Sequence, residues 1–172
     1  MNQTATTRRR FIKLGAWMIS GMALIIGTRS MADLIGEDKK GNFPVSKTDT
    51  EWKETLNPEA YNVLRKEETE RAFTSPLNDE HRKGIFYCAG CHNALYSSEQ
   101  KFDSGTGWPS FWAPVDEGAV GISTDHKIGV ARTEVHCADC GGHLGHVFDD
   151  GPQPTGKRYC MNGIAMEFTP DQ

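Results

Sequence analysis

The sequence predicts a mainly β domain, with two small antiparallel sheets preceded by short helices. Three observations point there. From Ser75-Pro76 onward the apolar residues come in runs too short for helices, and glycine or proline breaks the chain at 105–109, 114, 118, 151–156 and 163. Helix start signals fall only upstream, between Thr48 and Pro58. Two Cys-x-x-Cys turns, Cys88–Cys91 and Cys137–Cys140, stand 46 positions apart and can fasten distant strands to one another.

At the N-terminus, Thr7-Arg8-Arg9-Arg10-Phe11-Ile12-Lys13 is followed by an apolar run from Leu14 to Ile26 and then by Ser30-Met31-Ala32. A charged stretch, an apolar stretch and a small-x-small site in this order read as a secretory signal, and the arginines resemble the twin-arginine export motif. Thirteen apolar residues fall short of the roughly 20 that cross a bilayer. Residues 1–32 are therefore expected to be a signal peptide that delivers the protein to the periplasm; uncleaved, the segment would serve as a membrane anchor. Residues 33–46, rich in Gly, Lys, Asp and Ser, read as a linker, and 47–172 as the working domain.

The 172 residues suit one domain with appendages. The formal charge of −4 falls to −9 without residues 1–32, which carry five basic side chains and no acidic one. A field of that sign repels phosphate, so nucleic acid is excluded as a partner.

Within the domain, Thr48-Asp49-Thr50-Glu51 can cap a helix reaching Leu56, and Asn57-Pro58 opens a second. Tyr61, Val63 and Leu64 supply its apolar stripe, with Arg65, Lys66, Glu67, Glu68 and Glu70 expected to face water. Candidate strands are 84–87, 94–96, 120–123, 130–135 and 158–164.

Cys88, Cys91, Cys137 and Cys140 offer the four thiolates of a tetrahedral structural zinc site. Two rivals use the same residues. An exported protein can pair them as disulfides. Cys88-Ala-Gly-Cys91-His92 also spells a c-type haem attachment, although Gly141 stands where the second pair would need its histidine.

Cys160 is the fifth cysteine. Strand alternation places Arg158, Cys160 and Asn162 on one face, and a cationic Arg158 with nearby imidazoles would favour the nucleophilic thiolate. His143 and His146 lie three apart across Gly145, and Gly105-Thr-Gly-Trp-Pro-Ser-Phe111, with Trp108, reads as a pocket wall. The set suits cysteine redox or acyl chemistry. The reading from another class is a zinc-ribbon-like interaction module in which Cys160 is merely structural.

From about Ser46 to Thr169 the chain resembles the B-type methionine sulfoxide reductases. The likeness is carried by the two Cys-x-x-Cys pairs, Phe102-Asp-Ser-Gly105, Gly107-Trp-Pro-Ser-Phe111, Gly142-His-Leu-Gly-His-Val-Phe148 and Arg158-Tyr-Cys-x-Asn162. The resemblance implies thiol-dependent reduction of methionine R-sulfoxide, free or in oxidised proteins and peptides, by a monomeric enzyme with one structural zinc. It makes Cys160 the nucleophile, with His143, His146 and Asn162 as its catalytic partners. Trp108, Phe148 and Arg158 become substrate-binding. The product on the enzyme is a sulfenic acid at Cys160. Many relatives carry a recycling cysteine where this chain has Thr106, so an external, thioredoxin-like thiol is expected to regenerate it. His92 stands where relatives usually have glycine.

Overall fold

The computed structural model describes residues 42–126, 129 and 131–172; the expected signal peptide and most of the linker lie outside these described residues. Helix α1 (Asp49–Thr55) starts at Thr48, whose hydroxyl accepts from the Glu51 amide while the Glu51 carboxylate accepts from the Thr48 amide. This reciprocal capping satisfies donors that a helix start leaves open. Helix α2 (Pro58–Lys66) is opened by Asn57, whose Oδ1 accepts from the Ala60 amide at 2.8 Å. Both helices begin where the sequence places them.

Trp52, Leu56, Tyr61, Val63 and Leu64 are buried in a single core that extends into the sheets. Burying a side chain of leucine size contributes about 1.5–3 kcal/mol. The polar face holds in part: Lys66 and Glu68 are exposed as expected, whereas Arg65 and Glu70 turn back onto the protein. Helix α2 ends because Glu67 adopts a left-handed φ of 57°, and the reversed chain carries Glu70 back onto the protein, where its carboxylate accepts from the Gly163 and Ile164 amides. Arg65 lies over the Trp52 ring, 4.9 Å from its centre, and donates to the Cys140 carbonyl at 3.0 Å. Arg65 and Glu70 are both half-buried, held against the protein instead of standing free in water.

Nine strands among the described residues form two antiparallel sheets. In the smaller, β1 (Gly84–Cys88) lies between β2 (Ala94–Ser97) and β9 (Met166–Pro170). The larger sheet contains β3 (Lys101–Phe102), β4 (Ser110–Phe111), β5 (Val120–Asp125), β6 (Arg132–Cys137), β7 (His143–Phe148) and β8 (Arg158–Met161), in the spatial order β3-β4-β8-β7-β6-β5. Aromatic contacts join the sheets: Tyr96 of β2 stacks on Phe111 of β4 at 4.3 Å, and Phe86 of β1 meets the same ring edge-on at 5.0 Å.

The expected strands are present, with one correction. The run 158–164 is not continuous: β8 stops at Met161, residues 163–165 form a 3-10 turn, and β9 follows. Strands β3, β4, β7 and β9 were not anticipated from the sequence, and Val130 lies outside the described residues. Strand β7 is held so tightly against β8 that a Cβ at Gly145 would lie 2.1 Å from the Cys160 carbonyl oxygen, so only glycine fits between the two histidines.

Candidate active site and metal centre

Each cysteine pair sits at a strand end. The first turn links β1 to β2 in the small sheet, and the second links β6 to β7 in the large one. All four sulfurs lie within 4.8 Å of one another, with Cys88–Cys140 at 3.7 Å and Cys91–Cys137 at 3.5 Å. A tetrahedron with metal–sulfur bonds of about 2.3 Å has edges of about 3.8 Å, so the cluster has the dimensions of a four-thiolate metal site. The Gly90 amide and the Asn93 side-chain amide donate to Cys88 Sγ (3.4 Å) and Cys137 Sγ (3.5 Å), which suits thiolates.

The rival readings do not fit this geometry. All five cysteines are free, and the four sulfurs gather about one point instead of forming two bonded pairs. Haem attachment needs accessible thiols, but Cys88 is fully buried, and His92 is stacked on Tyr87 at 4.3 Å. His92 has a φ of 61°, in the region that favours glycine, and glycine is the residue expected there in relatives.

Cys160 sits in the middle of the large sheet. On β8 it pairs with Ser110 of β4 on one side and with His146 of β7 on the other; His146 in turn pairs with Glu134 of β6, and Glu134 with Ser123 of β5. Directly paired residues share a face, so the register lines up sulfur, imidazole and carboxylate in one row. Above it opens a cavity of about 120 Å³, lined by Trp108, His146, Phe148, Cys160 and Asn162 together with Thr69 and Arg132.

Two carboxylates hold the imidazoles. His146 Nε2 is 2.8 Å from Asp125 Oδ2, and the same oxygen accepts from Arg132 at 2.5 Å. His143 Nδ1 is 2.7 Å from Glu134 Oε1, and Glu134 also accepts from the Ser123 hydroxyl. A carboxylate only accepts, so in the neutral rings these nitrogens carry the proton. Burial pushes the His146 imidazole below its ordinary range, against the opposing pull of Asp125. His143 is itself buried, and meets His146 edge-on at 5.3 Å from behind the cavity wall.

Asn162 has left the β ladder. Its backbone and side-chain amides both donate to the Leu144 carbonyl, at 2.8 and 2.9 Å, which fixes it over β7. The Arg158 guanidinium is paired with Asp150 through two 2.9 Å bonds, lies 4.4 Å over the Phe148 ring of the cavity wall, and is close enough to Cys160 to interact with it as well. Thr106 Oγ1 lies 3.8 Å from Cys160 Sγ, at the end of a hydroxyl chain through Ser104 to Ser110. The residues that sequence reasoning missed are Asp125, Arg132, Glu134, Thr69 and Glu70.

A partly exposed thiol, an imidazole in register with it and an apolar wall define a thiol-dependent enzyme site. The comparisons narrow that class. The SelR domain model matches residues 56–170. The chain is 53% identical over 126 residues to a protein named peptide methionine sulfoxide reductase MsrB from Agrobacterium fabrum, covering 73% of this chain and 93% of that relative. Proteins of the same name from Leptospira interrogans and Methanosarcina mazei are 50% and 47% identical, each over 74% of this chain, and 97% and 91% of their own lengths are covered. The chain belongs to the SelR domain family.

Proposed function

We propose that the chain reduces methionine sulfoxide in peptides or proteins, acting on the R epimer, with Cys160 as the attacking sulfur. The observation that carries this reading is the pairing of Cys160 with His146 on adjacent strands beneath a small cavity walled by Trp108 and Phe148. The Cys160 sulfur attacks the sulfoxide sulfur, and protonation of the sulfoxide oxygen weakens its S–O bond. Oxygen ends on Cys160 as sulfenic acid, methionine leaves, and two electrons pass from the thiol to the substrate. Trp108 and Phe148 offer the substrate methyl an apolar surface, while His146, supported by His143, and Asn162 serve the oxygen side. With R and S epimers of a methionine sulfoxide peptide and a small dithiol, turnover is expected for R alone; equal rates for the two would refute the stereochemical assignment.

The proton donor assignment has a pH signature. Because His146 titrates below its ordinary value of about 6.5, the ring is neutral near pH 7 and becomes imidazolium only as the pH falls further. The donor limb of kcat/KM therefore rises with falling pH through a midpoint below about 6.5. Asp125→Asn deletes the partner that raises this value, and so moves the limb to still lower pH. His146→Ala removes it and slows reduction by about 10²–10⁴-fold. Stability moves the opposite way: the neutral ring's contribution is present above about pH 6.5 and is lost as the pH falls through the lower folded value. An unchanged pH profile in His146→Ala counts against the assignment.

The four-cysteine cluster is assigned to zinc, because four thiolates in tetrahedral array suit that ion. Thr106, beside Cys160 where many relatives have a recycling cysteine, supports an external route of repair. One thiol of a thioredoxin-like donor forms a mixed disulfide with Cys160 and releases water; its second thiol then frees Cys160. Residues 1–32 are assigned to twin-arginine export, which places the enzyme in the periplasm, or at the membrane if they are retained.

A further inference from the structure

Glu70 was expected in solvent, yet it bonds at once to two residues of the cavity wall and to the turn that follows one of them. Its backbone amide donates to Asn162 Oδ1 at 2.8 Å. Its backbone carbonyl accepts from the Trp108 indole Nε1 at 2.9 Å. Its carboxylate accepts from the Gly163 amide at 2.6 Å and from the Ile164 amide at 3.3 Å. Trp108 and Asn162 both line the Cys160 cavity. They come from segments 54 positions apart, and no hydrogen bond between their side chains holds them together; each is bonded to Glu70 instead.

We propose that Glu70 is a positioning residue that sets the Trp108 ring and the Asn162 amide relative to Cys160. This rests on the function proposed above. The carboxylate is the anchor. By gripping the turn that directly follows Asn162, it fixes the Glu70 backbone, whose two polar groups then orient the indole on one side and the carboxamide on the other. Space at the anchor is tight: a Cβ at Gly163 would lie 1.8 Å from the Ser75 hydroxyl, so the turn cannot shift toward that residue when the carboxylate is lost. Reach matters more than charge here, since both bonds from the turn come from neutral backbone amides. A side chain one methylene shorter cannot span the gap, whereas a carboxamide of the same length still can.

The test compares Glu70→Ala, Glu70→Asp and Glu70→Gln in the full-length protein, with the exposed neighbour Glu68→Ala as control. Kinetics are measured on the R-sulfoxide peptide, and hydrogen exchange at the Trp108 indole by NMR, that signal being assigned from Trp108→Phe. Ala and Asp are expected to raise KM by about 10-fold and to speed indole exchange by a similar factor, because a displaced Trp108 meets the substrate poorly. Gln and the Glu68 control are expected to stay near the parent in both readouts. If Ala fails to fold, Asp carries the comparison. Parent-like KM and indole exchange in Asp overturn the proposal. So does a Gln variant as impaired as Asp, or a parallel fall of kcat and melting temperature with KM unchanged, which marks a merely structural residue. A parent protein without any sulfoxide turnover is a different result and refutes the proposed function; the indole exchange still reads the positioning claim in that case.

Discussion

Replacing Cys160 with serine is expected to abolish sulfoxide reduction, by roughly 10⁴-fold or more, while the domain stays folded and keeps its metal. The size of the loss follows from the chemistry. A serine hydroxyl is a far weaker nucleophile near neutral pH, and it cannot pass two electrons to the substrate by taking up its oxygen as a thiol does. The fold is spared for structural reasons. Cys160 is only partly buried, lies outside the four-cysteine cluster and takes part in no disulfide. Its ladder partners Ser110 and His146 pair through the backbone, which serine leaves intact. Activity assays and circular dichroism on the same sample check both halves. A folded serine variant with measurable turnover would mean that another group performs the attack.

The second large effect concerns the other cysteines. Cys137→Ser or Cys88→Ser is expected to release the metal and unfold the domain. A structural zinc contributes on the order of 10 kcal/mol in small peptides, comparable with the whole stability of about 5–15 kcal/mol of an ordinary domain. The position in the fold explains why so much depends on it: one turn belongs to the small sheet and the other to the large sheet, so the cluster ties the two together. Cys140 also receives the Arg65 guanidinium on its carbonyl, linking the site to α2. Metal content and far-ultraviolet dichroism, with Cys160→Ser as the comparison, give the readout. A Cys137→Ser protein that is metal-free and fully folded contradicts the structural role.

Much of this was legible in the sequence, and the gaps have a common origin. The caps at Thr48 and Asn57, the two cysteine turns and the isolation of Cys160 are local patterns, and each fits what the fold displays. Non-local pairing was invisible. In the sequence, strand β7 shows only as a motif, because His-Leu-Gly-His-Val-Phe lacks regular alternation, being buried along most of its length. Without β7 as a strand there was no register, and without register nothing connected Glu134 or Asp125 with the histidines. Arg132 and Thr69 are missing for the same reason, since each reaches the cavity through its place in the fold. Glu70 was misplaced because a charged residue just past a helix is normally solvated; the left-handed turn at Glu67 reverses the chain and brings it inward. The resemblance, in contrast, needed only strings of residues, and it agrees with the family to which the chain belongs.

The most direct test of Cys160 as the oxygen acceptor is a single turnover without reductant. One equivalent of the R-sulfoxide peptide is mixed with the reduced, metal-loaded enzyme, and methionine, metal and the state of each cysteine are read by mass spectrometry. The expected outcome is one equivalent of methionine, a Cys160 that is captured by a sulfenate-specific reagent, and metal still bound. Methionine accompanied by an internal disulfide to Cys88, Cys91, Cys137 or Cys140, with release of the metal, would contradict the external recycling route; methionine with Cys160 left as an unmodified thiol would contradict the central claim itself.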